Sequence, residues 1–325
     1  MVQTSSELLR LARSKGIVYV DPRIDYAFKL LFGTPGNEDL LLRLVQAILP
    51  EKHIAAVELT AQEQVGPRPD ARRSVIDVKC KTDDGSDLII EMQIKEQEDF
   101  TDQMIFYSSF PIINRLQIGE HGYKLTPLYV IGITDFIIPN IKENERLINH
   151  YMILNDDTGI PLTDSIHYIT VELPKLTKTL SEVKDTAEWI LYTIKHIGAM
   201  KRMPGEYRGS YLEKFFELSK FAAMDELTQE EYLARFMFET DQKSFLRTAH
   251  NKGVAEGMEK GLEQGLQQGL QQGLQQGLQQ GANEERLETA RRMLADGMEV
   301  SLISKYTGLT AEEISALSST DHLQH

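Results

Sequence analysis

Residues 74–94 read SVIDVKCKTDDGSDLIIEMQI, and their alternation of polar and apolar side chains predicts a β-hairpin. The central DDG suits a three-residue turn, because its glycine accepts the left-handed conformation required at the last position. This turn pairs Thr82 with Ser86 and sets the register of both strands, which places Asp77 opposite Glu91. The other expected pairs are Lys81 with Asp87, Lys79 with Ile89, Val75 with Gln93, Cys80 with Leu88, Val78 with Ile90, and Ile76 with Met92.

The two faces of this hairpin differ in chemistry. One face is wholly apolar and is predicted to lie in the core, and it comprises Ile76, Val78, Cys80, Leu88, Ile90 and Met92. The other face opposes the carboxylates of Asp77 and Glu91, with Lys79 and Gln93 beside them. Opposed carboxylates destabilise a strand pair unless one takes a proton or a cation lies between them. The alternative is a solvent-exposed polar face on which Lys79 offsets the acids.

A divalent cation would account for such a carboxylate pair. Magnesium prefers carboxylate and water oxygens, and it commonly binds through one or two carboxylates together with phosphate oxygens of the substrate. A cation of this kind polarises a phosphodiester and lowers the pKa of its bound water. Lys79 or Gln93 could orient that water or stabilise the developing charge. The pattern therefore predicts a site for Mg²⁺, or for Mn²⁺ in its place, at Asp77 and Glu91.

Strand and helix patterns alternate over residues 16–175, which predicts an α/β domain with a mixed sheet flanked by helices. A helical region is predicted over 176–250, a Gly-Leu-Gln-Gln repeat fills 251–282, and a small helical tail covers 283–325. The predicted strands are 56–60, 74–81, 87–94, 128–134 and 167–173, and the predicted helices of the α/β domain are 22–33, 37–50 and 100–116.

The repeat segment has glycine at every fourth position from Gly253 to Gly281. Four residues exceed one helical turn, so the accompanying leucine stripe would drift about 40° per repeat around a straight helix. Each glycine also costs roughly 1 kcal/mol relative to alanine in a helix. Two predictions stay open: a flexible linker, or a helix that forms with a partner and builds a homo-oligomer through residues 253–281.

The tail has the outline of a helix-turn-helix over residues 300–314. Gly297 and Gly308 suit the turns, and Thr310 with Glu313 suits a capping box. Glu312 and Glu313 open the second helix of this motif and would face phosphates unfavourably. We therefore predict a small packing module in preference to a DNA-reading one.

Composition narrows the class of protein. Among the 325 residues, 35 are basic and 49 acidic, and a net charge of −14 argues against a non-specific nucleic-acid coat protein. Bound divalent cations would still allow a local contact with DNA. The single cysteine, Cys80, excludes an internal disulfide and a multi-cysteine metal site. The chain has neither a bilayer-length apolar run nor a signal-peptide core, so we expect a cytoplasmic protein without a membrane partner.

Several motifs recur in the order found in a known nuclease family. They are DPRIDYAFKLLFG at 21–33, VIDVK at 75–79, IEMQ at 90–93, and Phe100, Tyr107, Gly119 and Tyr123. Together with the glycine repeats and TGLT at 307–310, they resemble the Rpn family of recombination-promoting nucleases, also described as transposases, within the PD-(D/E)xK nuclease superfamily. The resemblance is specific in the first half of the chain and looser beyond about residue 180.

The resemblance implies a PD-(D/E)xK nuclease fold and a magnesium-dependent DNA endonuclease that promotes recombination. By position, Asp77 and Glu91 would be the metal ligands, and Gln93 would occupy the place of the motif's lysine. Glu38 is the candidate for an acidic residue contributed by the first helical layer, although the helix dipole alone explains an acid there. Lys29 would lie near the phosphates, with an ordinary surface lysine as the alternative.

Two residues depart from the family pattern. Gln93 carries no positive charge, so either Lys79 supplies it from the facing strand or activity is weak. Gln103 stands where an arginine that could clamp a phosphate is expected. Arginines before the Asp77 strand could meet the DNA backbone or lie on a solvated loop, and they are Arg68, Arg72 and Arg73. The departures keep open a second hypothesis, a non-catalytic DNA-associated or self-assembling module with a degenerate nuclease fold.

Overall fold

The computed structural model describes residues 5–60, 63–64, 74–115, 124–139 and 144–320. Five residues singled out in the sequence lie outside these ranges, and they are Arg68, Arg72, Arg73, Gly119 and Tyr123.

The chain divides into two compact units, Met1–Asp241 and Gln242–His325, which we describe separately. The described helices of the first unit are α1 (Ser5–Ser14), α2 (Asp25–Phe32), α3 (Glu38–Ile48), α4 (Phe100–Arg115), α5 (Thr186–His196), α6 (Tyr211–Ser219) and the start of α7 (Glu226–Ala295). Its described strands are β1 (Val57–Leu59), β2 (Glu63–Gln64), β3 (Ser74–Val75), β4 (Val78–Thr82), β5 (Asp87–Gln93), β6 (Leu128–Thr134), β7 (Ile148–Met152) and β8 (Ile166–Glu172).

Among the described residues, a mixed six-stranded sheet has the order β1-β4-β5-β6-β8-β7. The central strands β5, β6 and β8 run parallel, while the outer pairings are antiparallel. The strands β2 and β3 form a separate two-stranded ladder. This architecture is consistent with the PD-(D/E)xK-like fold and confirms the predicted α/β class.

The hairpin of β4 and β5 has the predicted register. Four predicted pairs are formed, namely Val78 with Ile90, Lys79 with Ile89, Cys80 with Leu88, and Lys81 with Asp87. Gly85 closes the turn at φ +81°, and its N–H donates to the carbonyl of Thr82 at 2.9 Å. A glycine is needed here because other residues rarely adopt this left-handed backbone conformation.

On the N-terminal side of Val78 the chain leaves the regular ladder, and the predicted pair of Val75 with Gln93 is wrong. Val75 pairs with Glu63 in the small ladder, while Gln93 pairs with Thr134 on β6. Ile76 was expected beside Val78 on one apolar face, but it packs in the other buried cluster. The bend at Asp77 ends the strict alternation of side chains along the strand, and it reverses the face on which Ile76 is buried.

Apolar side chains cover both faces of the sheet, as the continuous apolar run of β6 predicts. The larger cluster contains Val78, Ile90 and Met92 with side chains from α2, α3, α5 and α6. The smaller cluster buries Ile76 and Ile89 beneath α4. The helices that follow the predicted boundary at residue 175 therefore share the larger core with the sheet.

The start of α2 differs from the prediction. The helix was predicted to begin at Pro22, but it begins at Asp25 and Ile24 occupies the N-cap position. The Asp21 carboxylate accepts the backbone N–H of Arg23 at 3.0 Å and pairs with the Arg23 guanidinium at 2.7 Å. Asp21 thus stabilises the turn before the helix and not the helix end itself.

The second unit contains most of α7, followed by α8 (Val300–Thr307) and α9 (Ala311–Thr320). The whole glycine repeat lies within α7. Glycines 297 and 308 adopt φ +73° and +72°, as predicted for the turns. The capping box is also formed, because Thr310 N–H donates to Glu313 Oε2 at 2.8 Å and Glu313 N–H donates to Thr310 Oγ1 at 3.3 Å.

The tail encloses a small apolar core of its own, which contains Ala290, Ile303, Leu309, Ile314 and Leu317. Within the described residues, no helix combines the length and the apolar character needed to cross a bilayer.

Candidate active site

The carboxylates of Asp77 and Glu91 come together where β4 leaves the ladder. The backbone N–H of Asp77 donates to Glu91 Oε1 at 3.2 Å, and the backbone N–H of Met92 donates to Asp77 Oδ2 at 2.8 Å. Where the ladder ends, carboxylate oxygens thus accept the hydrogen bonds that backbone carbonyls accept in a regular strand pair. These two hydrogen bonds orient both carboxyl groups with respect to the sheet.

Strand β5 positions Glu91 in a crowded part of the fold. Glu91 lies beside Gly132 of the parallel neighbour β6. A Cβ atom at residue 132 would lie only 2.7 Å from the Phe100 ring and 2.9 Å from Met104 Sδ. The glycine therefore lets α4 approach the sheet next to Glu91, and this packing helps to exclude water from one side of the carboxylate pair.

Helix α2 brings a positive charge to the pair. Lys29 Nζ lies 2.9 Å from Asp77 Oδ1 and 3.3 Å from Asp25 Oδ2. Asp25 precedes Lys29 by one helical turn, so both side chains project from the same side of α2. The helix is buried through Ala27, Phe28, Leu31 and Phe32. Burial of these side chains fixes how α2 presents Lys29 to the strands.

The site is electrostatically strained. Asp77 is only 4% exposed and Glu91 8%, and this burial raises the pKa of both carboxyl groups. The charge of Asp77 raises the pKa of Glu91 further, whereas Lys29 acts on both carboxyl groups in the opposite direction without reversing the rise. For Lys29, burial lowers the pKa and the Asp77 and Asp25 carboxylates raise it, with a net rise.

Three further residues were expected at the site, namely Gln93, Lys79 and Glu38. Gln93 is half-buried, and its side-chain amide donates to the carbonyl of Lys95 at 3.2 Å. Lys79 lies on β4 opposite Ile89. Glu38 begins α3, and its carboxylate accepts the backbone N–H of Gly36 at 2.8 Å. Glu38 therefore stabilises the turn before its own helix.

Gln103, at the position where an arginine was expected, remains within its own helix. Its side-chain amide donates to the Tyr107 hydroxyl at 2.6 Å, one turn further along α4.

Asp25 was not singled out in the sequence, and Lys29 was placed near the phosphates with an ordinary surface lysine as the alternative. Their spacing of four residues on a helix, acid first, was the available signal. That signal is common on surface helices, and only the contact between Lys29 and Asp77 distinguishes this pair from the rest.

The donor atoms suit a hard divalent cation. Both acidic side chains of the pair offer carboxylate oxygens, and their mutual repulsion is the kind that such a cation relieves. Among the described residues, no group of three or more His, Cys, Asp or Glu side chains is placed to hold a metal ion. The residues therefore fit the magnesium type of site, in which one or two carboxylates are supplemented by water and substrate phosphate oxygens.

A mixed sheet with an acid at the end of one strand, and a second acid followed by Gln93 on the next, is the arrangement of the PD-(D/E)xK nuclease class. The family model described as PD-(D/E)XK nuclease family transposase matches residues 22–249. The chain belongs to this family. A second model, described as Rpn/YhgA-like nuclease family, C-terminal HTH domain, matches residues 283–319. Both matches confirm the predicted Rpn family, and the second confirms the helix-turn-helix outline of the tail.

No curated protein matches the chain. No solved structure matches it.

Proposed function

We propose that the protein is a metal-dependent DNA endonuclease that hydrolyses phosphodiester bonds and, through the breaks it makes, promotes recombination. The observation that carries this proposal is the buried pair of Asp77 and Glu91, held together at the end of a hairpin despite their repulsion. The membership in a nuclease and transposase family supports the same chemistry. We also propose that the protein is cytoplasmic, as expected from the sequence.

The proposed metal ligands are Asp77 and Glu91, and the proposed ion is Mg²⁺ or Mn²⁺. When bound there, such an ion would polarise the phosphodiester and make water a stronger nucleophile. The chain's own contribution is to hold the two carboxylates in place through the backbone N–H groups of Met92 and Asp77. Gln93 follows Glu91 by two residues, so the pleat of β5 directs both to one side of the sheet. We assign Gln93 or Lys79 to orienting the attacking water.

Hydrolysis adds one water molecule across the phosphodiester. A bond forms between the water oxygen and phosphorus, the bond from phosphorus to the leaving sugar oxygen breaks, and one proton of the water ends on that sugar oxygen. The products are a phosphate monoester and a free hydroxyl group.

A plasmid-nicking assay tests the proposal. Supercoiled plasmid is incubated with the full-length protein in MgCl₂ or MnCl₂, with EDTA as the control for the metal. We expect the wild type to nick the plasmid and Asp77→Asn to lower the rate by about 10³-fold or more. Asp84→Asn is the matched control, because it makes the same change at the other end of the same hairpin. Equal nicking by the wild type and Asp77→Asn would show a contaminant and contradict the proposal.

DNA is the proposed partner of the tail as well, because helix-turn-helix motifs commonly place their second helix in the major groove. Glu312 is exposed in the first turn of α9, where its charge would oppose phosphates. If α9 approaches DNA, Glu312→Lys should tighten binding in a mobility-shift assay, while the same charge change at Glu256 on α7 should not. Equal effects of both variants would favour the packing module predicted from the sequence.

Self-assembly is the second candidate function, and the leucine stripe of α7 favours it. Five leucines of the repeat are between 63% and 76% exposed, and they are Leu262, Leu266, Leu270, Leu274 and Leu278. Exposed apolar stripes of this kind commonly mark sites of association. Replacement of all five by glutamine should lower the mass measured by light scattering if the stripe joins copies of this chain. An unchanged mass would remove the oligomeric role of the repeats.

A further inference from the structure

Resting on the proposed nuclease function, we propose that Lys29 of α2 is a catalytic residue that contacts the scissile phosphate and supplies the positive charge that Gln93 cannot. The lysine of the nuclease motif would normally come from the strand that carries the second acid. In this chain the charge comes from a helix instead, and the contact between Lys29 and Asp77 is the observation that carries the proposal.

The position of Gln93 supports this exchange. A glutamine amide has no net charge, and the Gln93 amide nitrogen is already turned toward the carbonyl of Lys95. Transition states of phosphoryl transfer spread negative charge over the phosphate oxygens, and lysine is a common point charge in phosphate sites. A positively charged side chain next to the carboxylate pair would stabilise this charge together with the proposed ion, and residue 93 does not supply one.

The position of Lys29 suits a positively charged side chain that contacts the phosphate. Its ammonium lies 2.9 Å from a carboxylate oxygen of Asp77, which is a proposed metal ligand. The side chain is 26% exposed, so a substrate can reach it, whereas the Asp77 side chain is only 5% exposed. Lys29 thus lies at the boundary between the buried pair and solvent, where a phosphate that reaches the bound ion would also be within its range.

Asp25 acts as a positioning residue for this ammonium. Its carboxylate lies 3.3 Å from the Lys29 ammonium, and its own side chain is 47% exposed. An ammonium group has three N–H donors. With two of them directed to Asp25 and Asp77, the side chain is held in place before substrate binds, which lowers the entropic cost of the contact.

The test compares Lys29→Met with Lys52→Met in the full-length protein. Lys52 is a matched control, because it is also half-buried and also paired with an aspartate, Asp84, at the turn end of the hairpin. We expect Lys29→Met to slow plasmid nicking by about 10²- to 10³-fold and Lys52→Met to leave the rate unchanged. Calorimetry with MnCl₂ should show that Lys29→Met binds the ion at least as tightly as the wild type, because a positive charge next to a ligand is removed.

A chemical rescue separates charge from folding. Lys29→Cys is treated with 2-bromoethylamine, which returns an ammonium on a side chain of nearly the original length. The native Cys80 thiol is buried, and burial and the Asp87 charge raise its pKa to about 12, so the new thiol is the reactive one. We expect the nicking rate to fall in Lys29→Cys and to rise at least tenfold on alkylation.

Two results would overturn the role of Lys29. One is nicking by Lys29→Met at the wild-type rate, and the other is an alkylated Lys29→Cys that binds Mn²⁺ but stays inactive. Failure of the wild type itself to nick DNA would instead contradict the proposed function. The two failures are therefore distinguishable in one set of assays.

Discussion

The hairpin of β4 and β5 carries acidic residues at both ends, and the two ends hold them in opposite ways. At the turn, Asp84 accepts the Ser86 N–H at 3.0 Å and the Thr82 hydroxyl at 2.5 Å, and it pairs with Lys52. Partial burial acts to raise the pKa of Asp84, but these hydrogen bonds outweigh it and hold the pKa well below its ordinary value. The charged form of Asp84 therefore stabilises the fold.

At the other end, the fold penalises charge. Burial raises the pKa of Asp77 and Glu91, and the single ammonium of Lys29 does not reverse the rise. Carboxyl groups whose charged form costs stability are typical of functional sites, where a ligand offsets that cost. The direction of the pKa shift, and not the presence of acids, therefore separates the candidate site from the turn.

The largest expected effect concerns the middle of the hairpin. Cys80 lies on β4 between the two ends and is fully buried, and burial and the Asp87 charge raise its thiol pKa to about 12. We expect iodoacetamide at pH 8 to alkylate it about 10³-fold more slowly in the native protein than in 6 M guanidinium. Equal rates would mean that water reaches the centre of the hairpin, so that no buried segment would separate its two ends.

The next effect is on metal affinity. Asp77→Asn and Glu91→Gln should each weaken Mn²⁺ binding by at least about 100-fold in calorimetry, because each removes a charged ligand. Asp84→Asn should bind Mn²⁺ as the wild type does. A loss of affinity in Asp84→Asn as large as in the other two would show that general acidity, and not the strand-end pair, attracts the ion.

For folding stability, the loss should instead come from a variant at the turn end of the hairpin, because the charged Asp84 stabilises the fold there. Asp84→Ala removes the acceptor for Thr82 and Ser86, so the free energy of unfolding should fall by about 1 kcal/mol at pH 7. Because the folded-state pKa of Asp84 is lowered, its contribution is present above pH ~4 and is lost as the pH falls through the folded-state pKa. Urea unfolding of the wild type and of Asp84→Ala, at pH 7 and in strong acid, measures both effects. Equal stability of the two proteins at pH 7 would contradict the role given to Asp84.

The smallest effect is a gain in stability. Glu91→Gln keeps an oxygen to accept the Asp77 N–H but removes the repulsion, so in EDTA at pH 7.5 it should raise the free energy of unfolding by about 0.5–1 kcal/mol. The raised pKa of Glu91 means that the native state binds more protons, so the wild type loses stability as the pH rises above ~4. The gain should therefore shrink toward pH 4, and a gain that grows in acid would reverse the assigned sign.

The sequence predicted the fold best where one local rule acts alone. A DDG turn allows one register, and four of the strand pairs that it predicts are formed. The continuous apolar run of β6 predicts a strand covered on both faces, and all of its residues are buried. The prediction failed at Ile76 and Val75, because a bend at Asp77 transfers the chain to a second ladder with Glu63. A bend of this kind depends on where β2 lies, and alternation along a single strand carries no such information.

The candidate site was predicted to the same extent. Asp77 and Glu91 do meet, but Asp77 lies at the bend just before β4, and hydrogen bonds from the backbone N–H groups of Asp77 and Met92 to the two carboxylates join them outside the ladder. Glu38 was chosen as the acid from the helical layer, yet its carboxylate closes the turn at Gly36. The residues that helix α2 does bring to the strands are Lys29 and, one turn before it, Asp25.

The amino-acid sequence by itself determined the hairpin, its register and the opposition of two acids, because these depend on side-chain period and on turn chemistry within about twenty residues. Only the tertiary structure decided that the acids are buried and that the positive charge beside them comes from α2. Packing of α2 through its apolar side, and of α4 against Gly132, sets those distances. Lys29 and Asp77 are 48 residues apart in the chain, and Met104 and Phe100 are 28 and 32 residues from Gly132. Over such separations no periodicity of the chain relates one side chain to the other.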